Sequence, residues 1–272
     1  MQRKSGTCCA TSETISVFSK KLSSMKFEDK VKWLREKKYK GRETEEFLHD
    51  VKRVANGEAV EYLVGQVDFC GAKIDLSLHP MIPRPETEHW VRGVIEEIKK
   101  CESAYTIRVL DLFSGSGCVG LAILKNIPET YVDMIELDPK LKEQIEISVD
   151  RNVIRRTRAR VVTGDTWEGA SSRYDYITAV PPYVPPSMKE EVMKELHQEE
   201  PLSFFDKDDG YFYHKQVLSR AKEFLKEGGV AYLEFDTTQR TEIESLAQGY
   251  GWENYSFLKD PYGNECVIRL VK

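Results

Sequence analysis

The chain has 272 residues, 40% hydrophobic and 31% charged, so it can bury a core and is not disordered throughout. Lys and Arg number 40 against 45 Asp and Glu, a formal net charge of -5 that argues against a protein living on nucleic acid phosphates or an anionic membrane. No apolar run approaches the ~20 residues of a membrane span, and Gly and Pro show no period, which excludes collagen and repeat arrays.

Residues 1–25 are basic, rich in Ser and Thr and poor in acids, with Arg3, Lys4, Lys20 and Lys21 against Glu13. That fits a mitochondrial presequence or its remnant. An ordinary first helix fits equally, since Ile15, Phe18 and Leu22 lie at helical spacing. Two helical stretches follow over 27–57, separated by Gly41. Residues 60–82 change to strand-like runs holding Tyr62, Val64, Val67, Phe69, Ile74, Leu76 and Leu78, with Gly71-Ala72 between them. A β-hairpin linking two domains is expected, stopped by Pro80, Pro83 and Pro85. The expected division is therefore a helical module over 1–59, a hairpin linker over 60–85 and the main domain over 86–272.

From 86 onward helices and strands alternate. Helices are expected at 87–100, 118–127, 139–152 and 211–226. Strands are expected at 107–112, 131–136, 160–163, 174–179 and 229–235, and a final antiparallel hairpin at 252–258 and 265–271. Alternation of this length implies an α/β fold, a mostly parallel, doubly wound Rossmann-like sheet. The six cysteines, at 8, 9, 70, 101, 118 and 266, form no Cys-x-x-Cys, so reduced thiols and no metal site are expected.

In such a sheet a ligand sits at the carboxyl ends of the strands. The first tip reads Asp111-Leu112-Phe113-Ser114-Gly115-Ser116-Gly117, with Gly120 one turn into the next helix. Its glycines admit close backbone approach. It lacks the spacing of a pyrophosphate loop and starts with an acid, which repels phosphates and attracts a cation. S-adenosylmethionine carries an ammonium and a sulfonium. The second tip, Glu136-Leu137-Asp138, places an acid to accept from ribose hydroxyls. Glu136 suits that role, and Asp138, just before Pro139, reads as a helix cap. The third tip, Gly164-Asp165-Thr166-Trp167, would lie beside an adenine, although Trp167 also suits the core. The fourth, Val180-Pro181-Pro182-Tyr183, fixes a rigid backbone with a Tyr able to stack on a flat group.

Together these residues resemble S-adenosylmethionine-dependent methyltransferases acting on planar amino or amide nitrogens. The segment Ile82-Pro83-Arg84-Pro85-Glu86-Thr87-Glu88, preceded by Tyr62-Leu63-Val64-Gly65 and Phe69-x-Gly71, sharpens this. It is similar to the hairpin and "IPRPETE" signature of the HemK/PrmC family. Leu225-x-x-Gly228-Gly229, Leu233-Glu234 and Gly263-Asn264-Glu265 also match, so the resemblance covers roughly 60–272. The resemblance implies methyl transfer to the glutamine of the Gly-Gly-Gln motif in a class I peptide chain release factor, held by the N-terminal helices and hairpin. It places Phe113 to Gly117 at the methionine end of the cofactor, Glu136 on the ribose and Thr166 by the adenine. Val180 to Tyr183 would hold the substrate glutamine, with Arg84 and Glu86 in support. The poorly matching N-terminal part is more like a fungal or other organellar member, so a mitochondrial partner is expected.

Val180 departs from the family, whose motif begins with Asn. An amide nitrogen is a poor nucleophile, and the Asn oxygen with the first Pro carbonyl is expected to accept both amide N–H groups and aim the nitrogen. Val offers no acceptor, and a buried unpaired N–H costs roughly 1–3 kcal/mol. An impaired enzyme is the expectation, whether Val180 is a divergent member's own residue or, as its near-equal size suggests, an inactivating replacement. Restoring Asn would then raise methyl transfer strongly. Two other functions share some of these features. An adenine amino-methyltransferase shares the Pro-Pro-Tyr logic but needs base flipping and a basic groove. A catalytically dead scaffold would bind cofactor and partner without turnover.

Overall fold

The computed structural model describes residues 25–101, 106–189 and 204–272. The presequence or first helix expected over 1–25 lies outside them, Met25 apart. Helices α1 (Phe27–Lys37) and α2 (Glu45–Ala55) fall in the two stretches expected to be helical. Thr44 caps α2, its hydroxyl accepting from Phe47 N at 3.2 Å. Both helices carry acids in the first turn and bases in the last, the arrangement the helix dipole favours.

The next element corrects the sequence reading. Tyr62 and Val64 are not in a strand: Val60–Val64 is a short helix, α3, ended by Gly65 in the left-handed region at φ 79. Packing explains it. Leu63 joins Leu34, Phe47, Val54 and Val60 in the small core of α1 to α3, whereas Tyr62 faces the main core and donates from its hydroxyl to Pro80 O at 2.7 Å. Neighbouring side chains ~100° apart on a helix reach both cores, and this overrides their strand preference. The hairpin itself is shorter than expected, β1 (Gln66–Phe69) and β2 (Ala72–Asp75), and Leu76 and Leu78 follow it.

Pro85 opens α4 (Pro85–Lys100), where its fixed φ suits the first turn and its missing N–H costs nothing. Alternation then follows as expected: β3 (Ile107–Leu112), α5 (Cys118–Asn126), β4 (Thr130–Glu136), α6 (Pro139–Arg151), β5 (Ala159–Thr163), β6 (Tyr174–Ala179), α7 (Phe212–Phe224) and β7 (Leu225–Glu234). A helix the sequence reading passed over, α8 (Arg240–Gly249), precedes the final hairpin of β8 (Asn254–Lys259) and β9 (Glu265–Val271).

The seven strands pair in the order β5-β4-β3-β6-β7-β9-β8. All pairs from β5 to β7 are parallel, and β9 runs antiparallel to β7 and β8. On one face Trp90, Val94, Leu121 and Ile145 of α4 to α6 cover the sheet, and on the other Val217, Leu218, Ile243 and Ala247 of α7 and α8 do so. Strands covered on both faces bury nearly every side chain, and in Ile107–Leu112 all but Arg108 are buried, Asp111 included. Strand order reverses at β3, between β4 and β6, so the crevice at the carboxyl ends of these strands is the topological switch point.

Candidate active site

A cleft with about 920 Å³ of free space opens at that switch point. Four strand tips meet in it. Asp111, Phe113, Ser114, Gly115 and Ser116 come from the β3 tip, Glu136 from β4, Asp165 and Thr166 from β5, and Val180 and Pro182 from β6. Arg84 also lines it. A second hollow, with about 340 Å³ of free space that includes open solvent, adjoins it and is lined by Pro181, Tyr183 and Glu234 among others. Met81, Arg84 and Val180 border both, so Val180 stands at the junction. Of the residues the sequence singled out, Gly117 and Glu86 line neither cavity.

Backbone geometry builds the first tip. Phe113 takes φ 57, rare for a side-chain-bearing residue, and Gly115 and Gly117 take 52 and 77. Gly117 starts α5, and a Cβ there would lie 2.9 Å from Ile145 Cγ1. Its role is to let the chain turn against α6. Ser114 holds the turn to β4, its N–H on Ile135 O at 3.0 Å and its hydroxyl on Asp111 O at 2.8 Å.

Glu136 ties two tips together. Its Oε2 accepts from Gly115 N at 2.7 Å and its Oε1 from Asp138 N at 2.9 Å. Burial pushes its carboxyl above the usual range, with these backbone N–H groups pulling the other way. Asp138 lies outside the lining and caps α6, accepting from Lys140 N at 2.8 Å. Asp111 behaves differently from the cation-attracting acid expected at this turn. Its two oxygens accept from Thr178 Oγ1 at 2.7 Å and Gly120 N at 3.1 Å, inside the protein, and desolvation pushes its carboxyl up to about 7. It joins β3, β6 and α5 and leaves most of the cleft's negative charge to Glu136 and Asp165.

At the third tip Thr166 adopts φ 47 and donates to Asp165 Oδ1 at 2.9 Å, while Lys207 bridges to Asp165 Oδ2 at 2.7 Å. Trp167 is core: it is 6% exposed and stacks on Phe224 with centroids 4.6 Å apart. At the fourth tip the Pro-Pro-Tyr segment is fastened to 204–213. Val184 N donates to Phe204 O, Asp206 N donates to Val184 O, and the buried Asp206 carboxylate accepts from Gly210 N and Phe212 N. Beneath it lies His214, fully buried, whose Nε2 meets Glu234 O at 3.1 Å. Burial brings His214 down to about 4, so it is neutral and Nε2 carries the donated proton.

Sequence reasoning missed Met81, Tyr213 and the structural use of Glu234. Tyr213 lines the cleft, its ring edge-on to Phe113 at 5.1 Å. In the sequence Glu234 stands out only as part of a matching pattern. An acid ending a buried strand was the available signal.

Among the described lining residues acids outnumber the one base, Arg84, and glycine turns leave backbone room. That combination fits a cofactor with ribose hydroxyls at one end and cationic groups at the other.

The comparisons agree with this geometry. Residues 95–201 match the family model described as "Methyltransferase small domain". The fold is shared with a T. thermophilus 16S rRNA methyltransferase solved with AdoMet and guanosine, at TM-score 0.53 and 17% identity over 76% of this chain and 49% of that one. It is shared too with the N-terminal domain of human METTL16 solved with SAH, at TM-score 0.51 and 15% identity over 74% of this chain and 75% of that one. Curated relatives are nearer in sequence. The release factor glutamine methyltransferase of Flavobacterium psychrophilum is 29% identical over 78% of this chain and 74% of its own length. That of Coxiella burnetii is 30% identical over 78% of this chain and 75% of its own. On this relationship, the chain belongs to the release factor glutamine methyltransferase family.

Proposed function

We propose that the protein transfers a methyl group from S-adenosylmethionine to the side-chain amide nitrogen of the glutamine in a release factor's Gly-Gly-Gln motif. One observation carries the proposal: an acid-lined cleft at the strand switch point and a smaller cavity under the Pro-Pro-Tyr segment meet at Val180. Donor and acceptor pockets that share a wall are what direct group transfer needs.

Bound there, S-adenosylmethionine would supply a sulfonium methyl, its C–S electron pair staying on sulfur as the methyl passes to the amide nitrogen, which would shed a proton. The protein's part is positioning. Glu136 is placed for the ribose hydroxyls, Asp165 and Thr166 for the adenine end, and Phe113 to Ser116 for the methionine end. Pro181 and Tyr183 wall the smaller cavity that would take a flat carboxamide, Pro182 lines the cofactor cleft, and Arg84 borders both. Desolvation pushes the Tyr183 phenol far up, so it acts as a neutral wall and not as a base. The chain's basic, acid-poor residues 1–25 support a mitochondrial release factor as the partner.

The test offers the purified protein labelled S-adenosylmethionine with a release factor, its Gly-Gly-Ala variant and an oligonucleotide. Label on the first alone, at the glutamine, is the expected result. Label on the oligonucleotide alone would replace the proposal with an adenine amino-methyltransferase.

A further inference from the structure

A lysine joins the walls of the two hollows. Lys207 Nζ donates to Asp165 Oδ2 at 2.7 Å, and Asp165 belongs to the β5 tip that lines the cofactor cleft. The same ammonium lies 5.2 Å from the ring centroid of Phe212 and 5.3 Å from that of Tyr213. Tyr213 also lines the cleft and packs edge-on against Phe113 of the β3 tip. The hydrogen bond to Asp165 lifts the Lys207 ammonium above the ordinary lysine range, so it stays charged at neutral pH. In the chain, Lys207 belongs to a turn that is firmly held. Its neighbour Asp206 is buried, and the carboxylate accepts from Gly210 N at 2.7 Å and Phe212 N at 3.0 Å. Gly210 takes φ 89, and a Cβ there would lie 2.8 Å from Tyr183 O, so the turn presses on the Pro-Pro-Tyr segment. Gln239 donates to Gly210 O at 3.0 Å, and Val184 exchanges backbone hydrogen bonds with Phe204 and Asp206.

We infer that Lys207 is a positioning residue that couples the two ligands: it fastens the adenine end of the cofactor cleft to the turn that carries the Pro-Pro-Tyr wall, so each ligand strengthens the other's binding. This rests on the function proposed above, in which Asp165 and Thr166 face the adenine while Pro181 and Tyr183 take the carboxamide. Thr166 donates to Asp165 Oδ1 at 2.9 Å, so both oxygens of the acid are held and its orientation is fixed. A cofactor resting on the β5 tip keeps Asp165 where it meets Lys207, and Lys207 keeps the turn against Tyr183. The second ligand then meets a pocket whose wall is already in place, and by linkage the effect is reciprocal. The ion pair is partly open to water, its side chains 46% and 35% exposed, so it adds little to the stability of the fold.

Equilibrium binding tests this without turnover, so the reading does not depend on the residue at 180. With the full chain, the Kd for S-adenosylhomocysteine is measured by titration calorimetry with and without a saturating release factor, and the ratio of the two is the coupling. In the wild type it should be about fivefold or more. Lys207→Met keeps an apolar stem beside Phe212 and Tyr213 but removes the charge, and the ratio should fall to within about twofold of unity. Lys207→Arg, which keeps the charge, should restore it. In an Asp165→Asn background, Lys207→Met should change the ratio little further, because the partner is already gone. Raising the ionic strength from about 0.1 M to about 1 M shortens the screening length from ~10 Å to ~3 Å, so it should weaken the wild-type coupling and leave that of Lys207→Met as it is. A merely structural Lys207 would lower the melting temperature and shift both Kd values together, with the ratio intact. The proposal is overturned if the wild-type ratio is near unity, or if Lys207→Met keeps the wild-type ratio. If the coupling behaves as expected but no methyl reaches the glutamine even with Val180→Asn, the coupling stands and the chemistry proposed above fails. If the release factor does not bind at all, both fall.

Discussion

Replacing Glu136 by Gln separates cofactor recognition from scaffolding. Both carboxylate oxygens already accept a backbone N–H, Gly115 at 2.7 Å and Asp138 at 2.9 Å, in a side chain only 8% exposed. Gln keeps one oxygen and presents an NH2 to the other N–H. One backbone donor is left unpaired in a buried place, at a cost of about 1–3 kcal/mol in stability. The ribose then loses a charged acceptor, and hydrogen bonds to charged groups contribute about 1.5–3 kcal/mol, or roughly 10- to 150-fold in Kd. Titration calorimetry with S-adenosylmethionine and S-adenosylhomocysteine reads this directly, with thermal unfolding as the companion measurement. Both ligands should weaken alike, since they share the ribose. Asp138→Asn is the control: Asp138 caps α6 and does not line the cleft, so Kd should hold within about threefold. If Glu136→Gln binds as the wild type does while Asp138→Asn does not, the assignment of the ribose to Glu136 is wrong. Burial raises the Glu136 carboxyl, so cofactor affinity should also begin to fall, as pH is lowered, at a higher pH than an ordinary glutamate would dictate.

Asp111 gives a stability prediction of opposite sign to the usual carboxylate. Its native pKa, about 7, lies above the ordinary 3.8, so folding favours the protonated form. Its contribution is complete below about pH 4 and is lost as pH rises through about 7, on the order of 4 kcal/mol in all. Asp111→Asn cannot titrate, so urea unfolding at pH 5 and pH 8 should show the variant gaining on the wild type at the higher pH, and parallel curves would refute this. Gly117→Ala forces φ 77 on an L-residue and brings its Cβ to 2.9 Å from Ile145 Cγ1 and 3.1 Å from Leu121 Cδ1. A left-handed penalty of about 1–2 kcal/mol plus overpacking of about 1–3 kcal/mol should lower the melting temperature by roughly 5–15 °C, and an unchanged melt would refute the packing account. Asn152→Ala removes both of its bonds to Lys73, at 2.8 and 2.6 Å. It should weaken methylation of a whole release factor more than that of a short Gly-Gly-Gln peptide, and equal losses on both would count against a docking role for the hairpin.

The buried strands were legible because burial on both faces writes itself into composition: β3, β6 and β9 fall where apolar runs and turn residues put them. The four tips were legible because each ends a strand that could be located. What was hidden depended on distant partners. Val60–Val64 has strand-forming residues, and only the two cores on its sides make it a helix. α8 has a readable start, Asp236 and Gln239 capping each other, with Ile243 and Ala247 at helical spacing. β7 begins at Leu225, earlier than expected, because Lys226-Glu227-Gly228-Gly229 masks its first half. Glu234 meets Thr87 and Trp90 across 147 and 144 residues of sequence, a separation at which no local pattern exists.

The hairpin at 66–75 is built into the main domain rather than set between two domains. A two-stranded hairpin is marginal by itself and leaves unpaired backbone on its edges. Here α6 acts as a third strand. Ser148 Oγ accepts from Asp75 N at 2.9 Å, Asn152 accepts from Lys73 N and donates to Lys73 O, and Gln144 accepts from Leu78 N at 2.7 Å and donates to Asp75 at 2.7 Å. These residues recur every four positions, one helical face, so a straight helix can satisfy an extended edge. Arg151 adds an ion pair to the buried Asp75. On the other side Cys70 N donates to Glu88 of α4, and Asn126 of α5 donates to Cys70 O at 2.8 Å. The segment expected to be a linker is thus hydrogen-bonded to three helices of the methyltransferase sheet. Its continuation into α4 carries Arg84, Thr87 and Trp90, the residues that border the cavities and hold Glu234. A partner gripped by the hairpin would therefore be read by the same rigid body that shapes the glutamine pocket, and recognition at a distance could set the position of one amide nitrogen.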